Sequence, residues 1–271
     1  MTESQGHTEG TGPAAGSAAG SRGHDPVRVG VIGARGRMGS LACTAVQAAP
    51  DLELVATVGS GDPLATLVDA GSQAMVDFTH PAAVMDHIRF AIDHEIHAVV
   101  GTSGVDGERL EVVRGWLHDH PQVGVIVVPN FGIGAVLAAK YAREAARFFA
   151  SAEIVELHHP GKIDAPSATA VAAAREIGAA RTAAGLGAVP DATTTALDGA
   201  RGAVLGGVHV HSVRMPGLLA HLEVLLGNDG ETLTIRQDST SRESFVPGVL
   251  AAIRGIGARP GLTVGLEALL D

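Results

Sequence analysis

The chain has one cysteine, Cys43, in 271 residues, which excludes an internal disulfide and fits a reducing compartment. Cys43 lies in a predicted helix among apolar neighbours, so it reads as a small core residue and not a nucleophile. Basic residues are few: 19 Lys and Arg stand against 29 Asp and Glu, a formal net charge of −10. No Lys/Arg run supplies the basic face that nucleic acid requires, so any anionic ligand must be held by a local cluster. Long apolar runs are also missing, and a stretch such as Val123 to Val128 is far too short to span a bilayer. Residues 1–25 are Gly, Ala, Ser, Thr and Gln with scattered charge, lacking an apolar h-region and any periodicity. The expectation there is a disordered tail without a secretion signal, and a cytoplasmic protein.

What remains is 46% hydrophobic, enough for one large core or two modest ones. The apolar run Val27 to Ile32 predicts a strand buried on both faces. It leads into Gly33-Ala34-Arg35-Gly36-Arg37-Met38-Gly39 and then a helical pattern from Leu41 to Ala49. The spacing is G-x-x-G-x-x-G, not the commoner G-x-G-x-x-G, and glycine-rich turns also arise for packing alone. Strand, glycine turn and helix start in this order nevertheless aim free N–H groups at a pyrophosphate. The next strand, Leu52 to Val58, runs into Gly59-Ser60-Gly61-Asp62. The acid expected for an adenosine ribose is therefore missing, or displaced to Asp62. Arg35 and Arg37 could take a 2′-phosphate or the pyrophosphate, which points to dual or NADPH-leaning use.

Strands at Ala74 to Phe78, Ile96 to Gly101 and Gly124 to Val128 alternate with helices at Ala82 to Asp93 and Gly107 to His118. This βαβ series predicts a Rossmann-like, doubly wound parallel sheet. Turns at Asp77 to Pro81, Gly101 to Gly104 and Pro129 to Gly132 fall at strand ends, where such sheets bind ligands.

Beyond Phe131 the pattern changes to a helix from Ala135 to Phe149, a short strand from Ala152 to Leu157, and a loose stretch from Gly185 to Gly202. Three alternating strands follow at Val208 to Arg214, Ala220 to Leu226 and Thr232 to Gln237, with a turn at Gly227 to Gly230. They predict an α+β unit with an open mixed sheet whose apolar face needs a partner, which another subunit could supply. A helix from Phe245 to Ile256 and a tail from Leu262 to Leu270 are expected to return to the first unit. His209 and His211 share a strand face, but no Cys or carboxylate nearby in sequence completes a metal set, and none is assigned.

The densest chemistry is E-L-H-H-P-G-K-I-D-A-P-S-A-T-A, residues 156–170. His158 and His159 stand where a strand runs out, and Ser167 reads as the N-cap of an Ala-rich helix. The N–H groups of Ala168, Thr169 and Ala170 then carry the positive end of the helix dipole. With Lys162 nearby, the segment forms a cationic cradle for a carboxylate beside a histidine able to move a proton near neutral pH. The bland alternative is a satisfied histidine pair and a solvated lysine; convergence of four features on one small volume favours chemistry.

That segment resembles the signature of the dihydrodipicolinate reductase family, the 4-hydroxy-tetrahydrodipicolinate reductases of bacterial lysine and diaminopimelate biosynthesis. The likeness runs from Val27 to Asp271 and includes V-G-V-I-G-A-R-G-R-M-G, D-F-T-H-P, V-V-G-T-S-G, P-N-F-G-I-G-A-V, E-T-L-T-I-R-Q-D-S and S-F-V-P-G-V-L. It implies a dinucleotide domain over 26–132 and 242–271, a substrate and tetramerisation domain over 133–241, a homotetramer, and NADPH or NADH as cofactor. The substrate implied is a dicarboxylate cyclic imine. By resemblance His158 is the proton donor and Lys162 the assisting cation, while His159, Lys162, Ser167, Ala168 and Thr169 meet substrate carboxylates. Gly33, Ala34, Arg35, Gly36, Arg37, Met38 and Gly39 match the cofactor loop. Phe78, Thr79, Gly101, Thr102, Ser103, Pro129, Asn130 and Phe131 match the nicotinamide side. Two departures stand out: Ala168 replaces a family glycine, and Gly59 replaces a common acid. A paralogous cyclic imine reductase and a non-enzymatic dinucleotide sensor stay open as alternatives; the sensor would be expected to lose His158 or Lys162, and both are here.

Overall fold

The computed structural model describes residues 25–270, so the tail expected at the N-terminus lies, but for Asp25, outside the described residues. The apolar run at the start of the ordered chain forms β1 (Val27–Ile32), and α1 (Arg37–Ala48), β2 (Leu52–Val58), α2 (Ala65–Asp69), β3 (Ala74–Asp77), α3 (Val84–Asp93), β4 (His97–Val100), α4 (Gly107–Leu117) and β5 (Gly124–Val127) follow. Val29, Val31, Val76, Val99 and Ile126 are completely buried, each contributing roughly 1.5–3 kcal/mol relative to exposure. Helix α1 begins four residues before the expected Leu41. The last glycine of the turn lies inside its first helical turn, where low helix propensity hides a position set by packing.

The second unit comprises α5 (Ile133–Ala145), β6 (Ser151–His158), α6 (Ala168–Ala183), β7 (Ala203–Leu205), β8 (Val208–Arg214), β9 (Ala220–Asn228) and β10 (Glu231–Ser239). Helix α5 is shorter than expected because residues 146–148 tighten into a 3₁₀ turn. The five strands lie in the order β10-β9-β6-β8-β7. Strands β6 and β8 run parallel while the other pairs are antiparallel, so the sheet is mixed. One face packs Ile154, Val210, Leu222 and Val224 against the alanine-rich surfaces of α5 and α6. The other face carries Glu153, Val155 and Leu157 of β6 beside His209 and His211 of β8, all partly exposed. Here His211 and Arg201 pair with Glu153 at 2.8 and 2.5 Å, and His209 Nδ1 lies 2.6 Å from the Arg201 carbonyl oxygen. Among the described residues no cluster with a metal-binding set of ligands is found.

The chain then returns, as expected, through α7 (Val246–Ile256) and β11 (Gly261–Val264). Strand β11 adds in parallel to β5, giving a six-stranded sheet ordered β11-β5-β4-β3-β1-β2. Val249, Ile253 and Ile256 of α7 complete the core on one face of that sheet, while α3 and α4 pack the other. The strand order reverses between β1 and β3, and the crevice outside their C-terminal ends is where such sheets take ligands.

Candidate active site

Immediately after β1, Gly33 adopts φ +78°, a conformation open to glycine at no steric cost. A β-carbon on Gly39 would stand 2.1 Å from the Gly33 carbonyl oxygen, so the loop folds back on the helix start without room for any side chain. Gly36 caps α1 with no side-chain hydrogen bond, leaving the first N–H groups to a ligand. In front of them lies a cleft of about 460 Å³ lined by Gly33, Arg35, Gly36, Gly59, Asp62 and Phe78. Bare backbone, uncapped N–H groups and an arginine at a switch point fit the diphosphate and adenosine of a dinucleotide. The two loop arginines separate: Arg35 faces this cleft, whereas Arg37 lines a neighbouring one with Thr102, Ser103 and Arg242.

The far side of the crevice is built around Asp77, fully buried at the end of β3. Its carboxylate accepts from the Thr79 N–H at 2.9 Å and the Thr79 hydroxyl at 2.7 Å. It also accepts from the Thr102 hydroxyl at 2.6 Å and from His87 Nδ1 at 2.6 Å. Burial pushes the Asp77 carboxyl up, but these bonds outweigh it and hold the group below the usual range. Thr79 and Thr102 therefore spend their side chains, and Thr79 its N–H as well, fixing the tips of β3 and β4. Gly101 is needed for space, since a β-carbon there would lie 2.3 Å from Phe78 and 2.7 Å from Phe131. Those two rings, 5.4 Å apart and tilted by 59°, wall a cavity of about 290 Å³ that also touches Met38, His158, Gln237 and Arg242.

On the opposite wall stands His158. Alternation along β6 puts Glu156 and His158 on one face, and His158 Nδ1 lies 2.5 Å from Glu156 Oε2. Glu156 is completely buried. It also receives both Arg214 Nη atoms, at 2.8 and 2.9 Å, and the Ser167 N–H at 3.2 Å. Burial would raise the Glu156 carboxyl, yet the bonds from Arg214, Ser212 and His158 hold it below the usual range. It is thus an anion, and it fixes the imidazole by its Nδ1–H, leaving Nε2 as the nitrogen for exchange with a ligand. Burial lowers the His158 pKa first, and the Lys162 and Arg214 charges add to this, against the opposing pull of Glu156.

The loop from His158 to Ser167 closes the site. Ser167 caps α6 as expected, accepting from the Ala170 N–H at 3.2 Å, and is buried. Ala168, the first residue of α6, is exposed. Thr169 accepts from Asn130 Nδ2 at 3.2 Å, which ties the loop after β5 to the N-terminus of α6. Lys162 Nζ binds Asp164 at 2.7 Å at the rim. His159 turns the chain, its carbonyl accepting from the Lys162 N–H. The structure thus draws His158, Ser167, Thr169, Asn130 and Phe131 around adjoining cavities, with Lys162 and His159 in the bordering turn.

A family model for the N-terminus of dihydrodipicolinate reductase matches residues 27–131, and one for its C-terminus matches residues 134–270. The chain belongs to the dihydrodipicolinate reductase family. A 4-hydroxy-tetrahydrodipicolinate reductase of Nocardia farcinica is 60% identical over 90% of this chain and 99% of its own. One from Streptomyces griseus is 59% identical over 90% and 98%. A solved dihydrodipicolinate reductase from Paenisporosarcina, with dipicolinate bound, is 34% identical and superposes with a TM-score of 0.80 over 90% of this chain and 99% of that one. A scyllo-inositol dehydrogenase of Lactobacillus casei, 12% identical with a TM-score of 0.59 over 91% of this chain and 92% of its own, shares the fold alone.

Glu156, Arg214 and Arg242 were given no role by the sequence reading, and Asp77 was placed only in a strand-end turn. Glu156 carried a usable signal, its two-residue spacing from His158 on a strand. Arg214 did not, because it reaches Glu156 across paired strands; the buried bonds of Asp77 to Thr79, Thr102 and His87 leave no local mark, and Arg242 lines the cavities from the turn after β10.

Proposed function

We propose that this chain catalyses the NAD(P)H-dependent reduction of 4-hydroxy-tetrahydrodipicolinate to tetrahydrodipicolinate. The observation that carries the proposal is His158, held through Nδ1 by a buried carboxylate and facing the cavity walled by Phe78, Gly101 and Phe131. When bound, the dihydronicotinamide supplies the hydride. Gly33 to Gly39, with the strand ends at Phe78 and Thr79, Gly101 to Ser103 and Pro129 to Phe131, hold the nucleotide. His159, Lys162, Ser167, Ala168 and Thr169 hold the carboxylates of the cyclic substrate, using the Lys162 charge and the N–H groups opening α6. His158 gives a proton through Nε2 as the ring gains the hydride and the 4-hydroxyl leaves as water, so that hydride, proton and water loss together turn substrate into product, and Glu156 stabilises the imidazolium needed for that step.

Residues 26–132 and 242–271 form the dinucleotide domain in this reading, and residues 133–241 the substrate and assembly domain. The half-exposed Val155, Leu157 and Leu225 on the open sheet face support assembly, and a homotetramer is the state proposed. A lone cysteine and a reduced nucleotide as co-substrate support the cytoplasm, and no helix among the described residues is long and apolar enough to cross a membrane. The deciding test is an assay in which the unstable substrate is generated enzymatically, run once with NADH and once with NADPH. Substrate-dependent nucleotide oxidation is expected; nucleotide binding without turnover would leave a sensor in its place.

A further inference from the structure

A dinucleotide-binding strand β2 ordinarily ends in an acid that takes the adenosine ribose hydroxyls, and here the position after Val58 is Gly59. More than a carboxylate is absent. A β-carbon on Gly59 would lie 2.7 Å from both Cζ and Nη1 of Arg35, so the guanidinium lies across the bare strand tip. A side chain at position 59 and Arg35 in its present place exclude one another. Asp62, three residues on, accepts from Arg35 Nη2 at 2.8 Å and from the Gly59 N–H at 2.9 Å. The Gly59 N–H first, and then the Arg35 charge, hold its carboxyl below the usual range. Both side chains line the same cleft as the glycine loop. The pair is open to water, with Arg35 70% and Asp62 35% exposed, and such pairs are weak enough to be exchanged for another partner.

We infer that Arg35 and Asp62 are an exchangeable ion pair that reads the adenosine ribose, Asp62 accepting from the hydroxyls of NADH and Arg35 leaving it for the 2′-phosphate of NADPH. The inference rests on the dinucleotide reading of this cleft. A carboxylate accepts a hydrogen bond from a ribose hydroxyl and repels a phosphate dianion, while a guanidinium binds the phosphate bidentately. Each nucleotide therefore uses one half of the pair and releases the other. Gly59 is what permits this arrangement, since a fixed acid on the strand tip would unseat Arg35. Asp62 then becomes a partner for NADH and a competitor against NADPH, a specificity element built by displacement.

The test is titration of the full chain with NADH and with NADPH, following nucleotide fluorescence or heat, in the unmodified protein and in Asp62→Asn, Arg35→Ala and the double variant. Asparagine keeps an oxygen for the Gly59 N–H, so the turn survives while the charge goes. Asp62→Asn is expected to tighten NADPH and weaken NADH, moving the ratio of their Kd values toward NADPH by about tenfold or more. Arg35→Ala should move that ratio toward NADH, and Asp62→Asn should move it less in the Arg35→Ala background than in the unmodified chain, because part of its effect is the release of Arg35. If Asp62→Asn changes both Kd values by one common factor, the pair merely shapes the turn and the inference is overturned. If the unmodified chain binds neither nucleotide, the dinucleotide reading fails and takes this one with it.

Discussion

The buried Glu156 carboxylate and the His158 imidazole, 2.5 Å apart on one face of β6, fix the tautomer of the ring before any ligand arrives, which suits it to the proposed role of proton donor. His158→Gln is predicted to lower kcat by roughly 10²-fold or more, as loss of a general acid does, with the Kd for nucleotide unchanged. Glu156→Gln should lower kcat as well, and it should move the pH profile. Glu156 is the group that pulls the His158 pKa up against burial. Without it the donor loses its proton at lower pH, so the alkaline fall of kcat/KM shifts toward acid. A drop in amplitude with no shift would mean that Glu156 only braces the loop through Ser167 and Arg214.

A second prediction follows from the same imidazole. In the free chain burial holds the His158 pKa below its ordinary value, and the negative charge of a bound dicarboxylate would push it back up. The profile of kcat/KM reports the free enzyme and that of kcat the complex. The alkaline limb of kcat should therefore lie at higher pH than that of kcat/KM. Coincident limbs would show that the substrate charge does not reach His158.

Lys162 and Asp164 supply a third. Their 2.7 Å pair leaves Asp164 half-exposed, so its strength is on the order of 1 kcal/mol or less and a dianion can displace the carboxylate. Lys162→Ala is predicted to harm both kcat and KM, because one cation serves binding and transition state. Asp164→Asn, which removes the competitor, should lower KM by a few-fold or leave it unchanged. A clear rise in KM would instead make Asp164 the residue that positions Lys162.

The parallel sheet was legible because continuous apolar runs such as Val27 to Ile32 and Gly124 to Val128 alternate with helical patterns. The Ser167 cap was legible because capping is a local property. The start of α1 at Arg37 was not, since Gly36 and Gly39 depress helix propensity while the close approach to Gly33 favours them. The three residues of β7 form an edge too short for any periodicity. Arg214 reaches Glu156 only because β8 runs parallel beside β6, a pairing across 58 residues that no window of sequence contains. Arg35 and Arg37 read alike in the sequence, and only the turn around Gly36 sends them to different clefts.

The fourth prediction concerns salt. Arg35 is largely exposed, so its attraction for an extra phosphate is screened by ions within a Debye length of about 10 Å at 0.1 M. NADPH is predicted to bind at least as tightly as NADH at low ionic strength, and its affinity should fall faster as salt rises. The measurement is a pair of titrations repeated across ionic strength. Equal slopes with a clear NADH preference would mean that the 2′-phosphate meets no cation here.

The last prediction concerns Ala168, which stands where the resemblance to the family leads to the expectation of glycine. Ser167 is the N-cap and Ala168 the first helical residue, so its φ is one that alanine adopts without strain. The N–H groups opening α6 keep their direction whichever residue stands there. A methyl group could still crowd a carboxylate brought close to the backbone. Two observations weigh against that: Ala168 is exposed, and helical β-carbons point back toward the N-terminus, beside an anion and not between it and the amides. Ala168→Gly should therefore change kcat/KM on the dihydrodipicolinate-type substrate by less than about tenfold, or ~1.4 kcal/mol. If the unmodified chain proved inert on that substrate and Ala168→Gly active, the methyl would be a specificity element, and a paralogous reductase acting on another cyclic imine would replace the proposed activity.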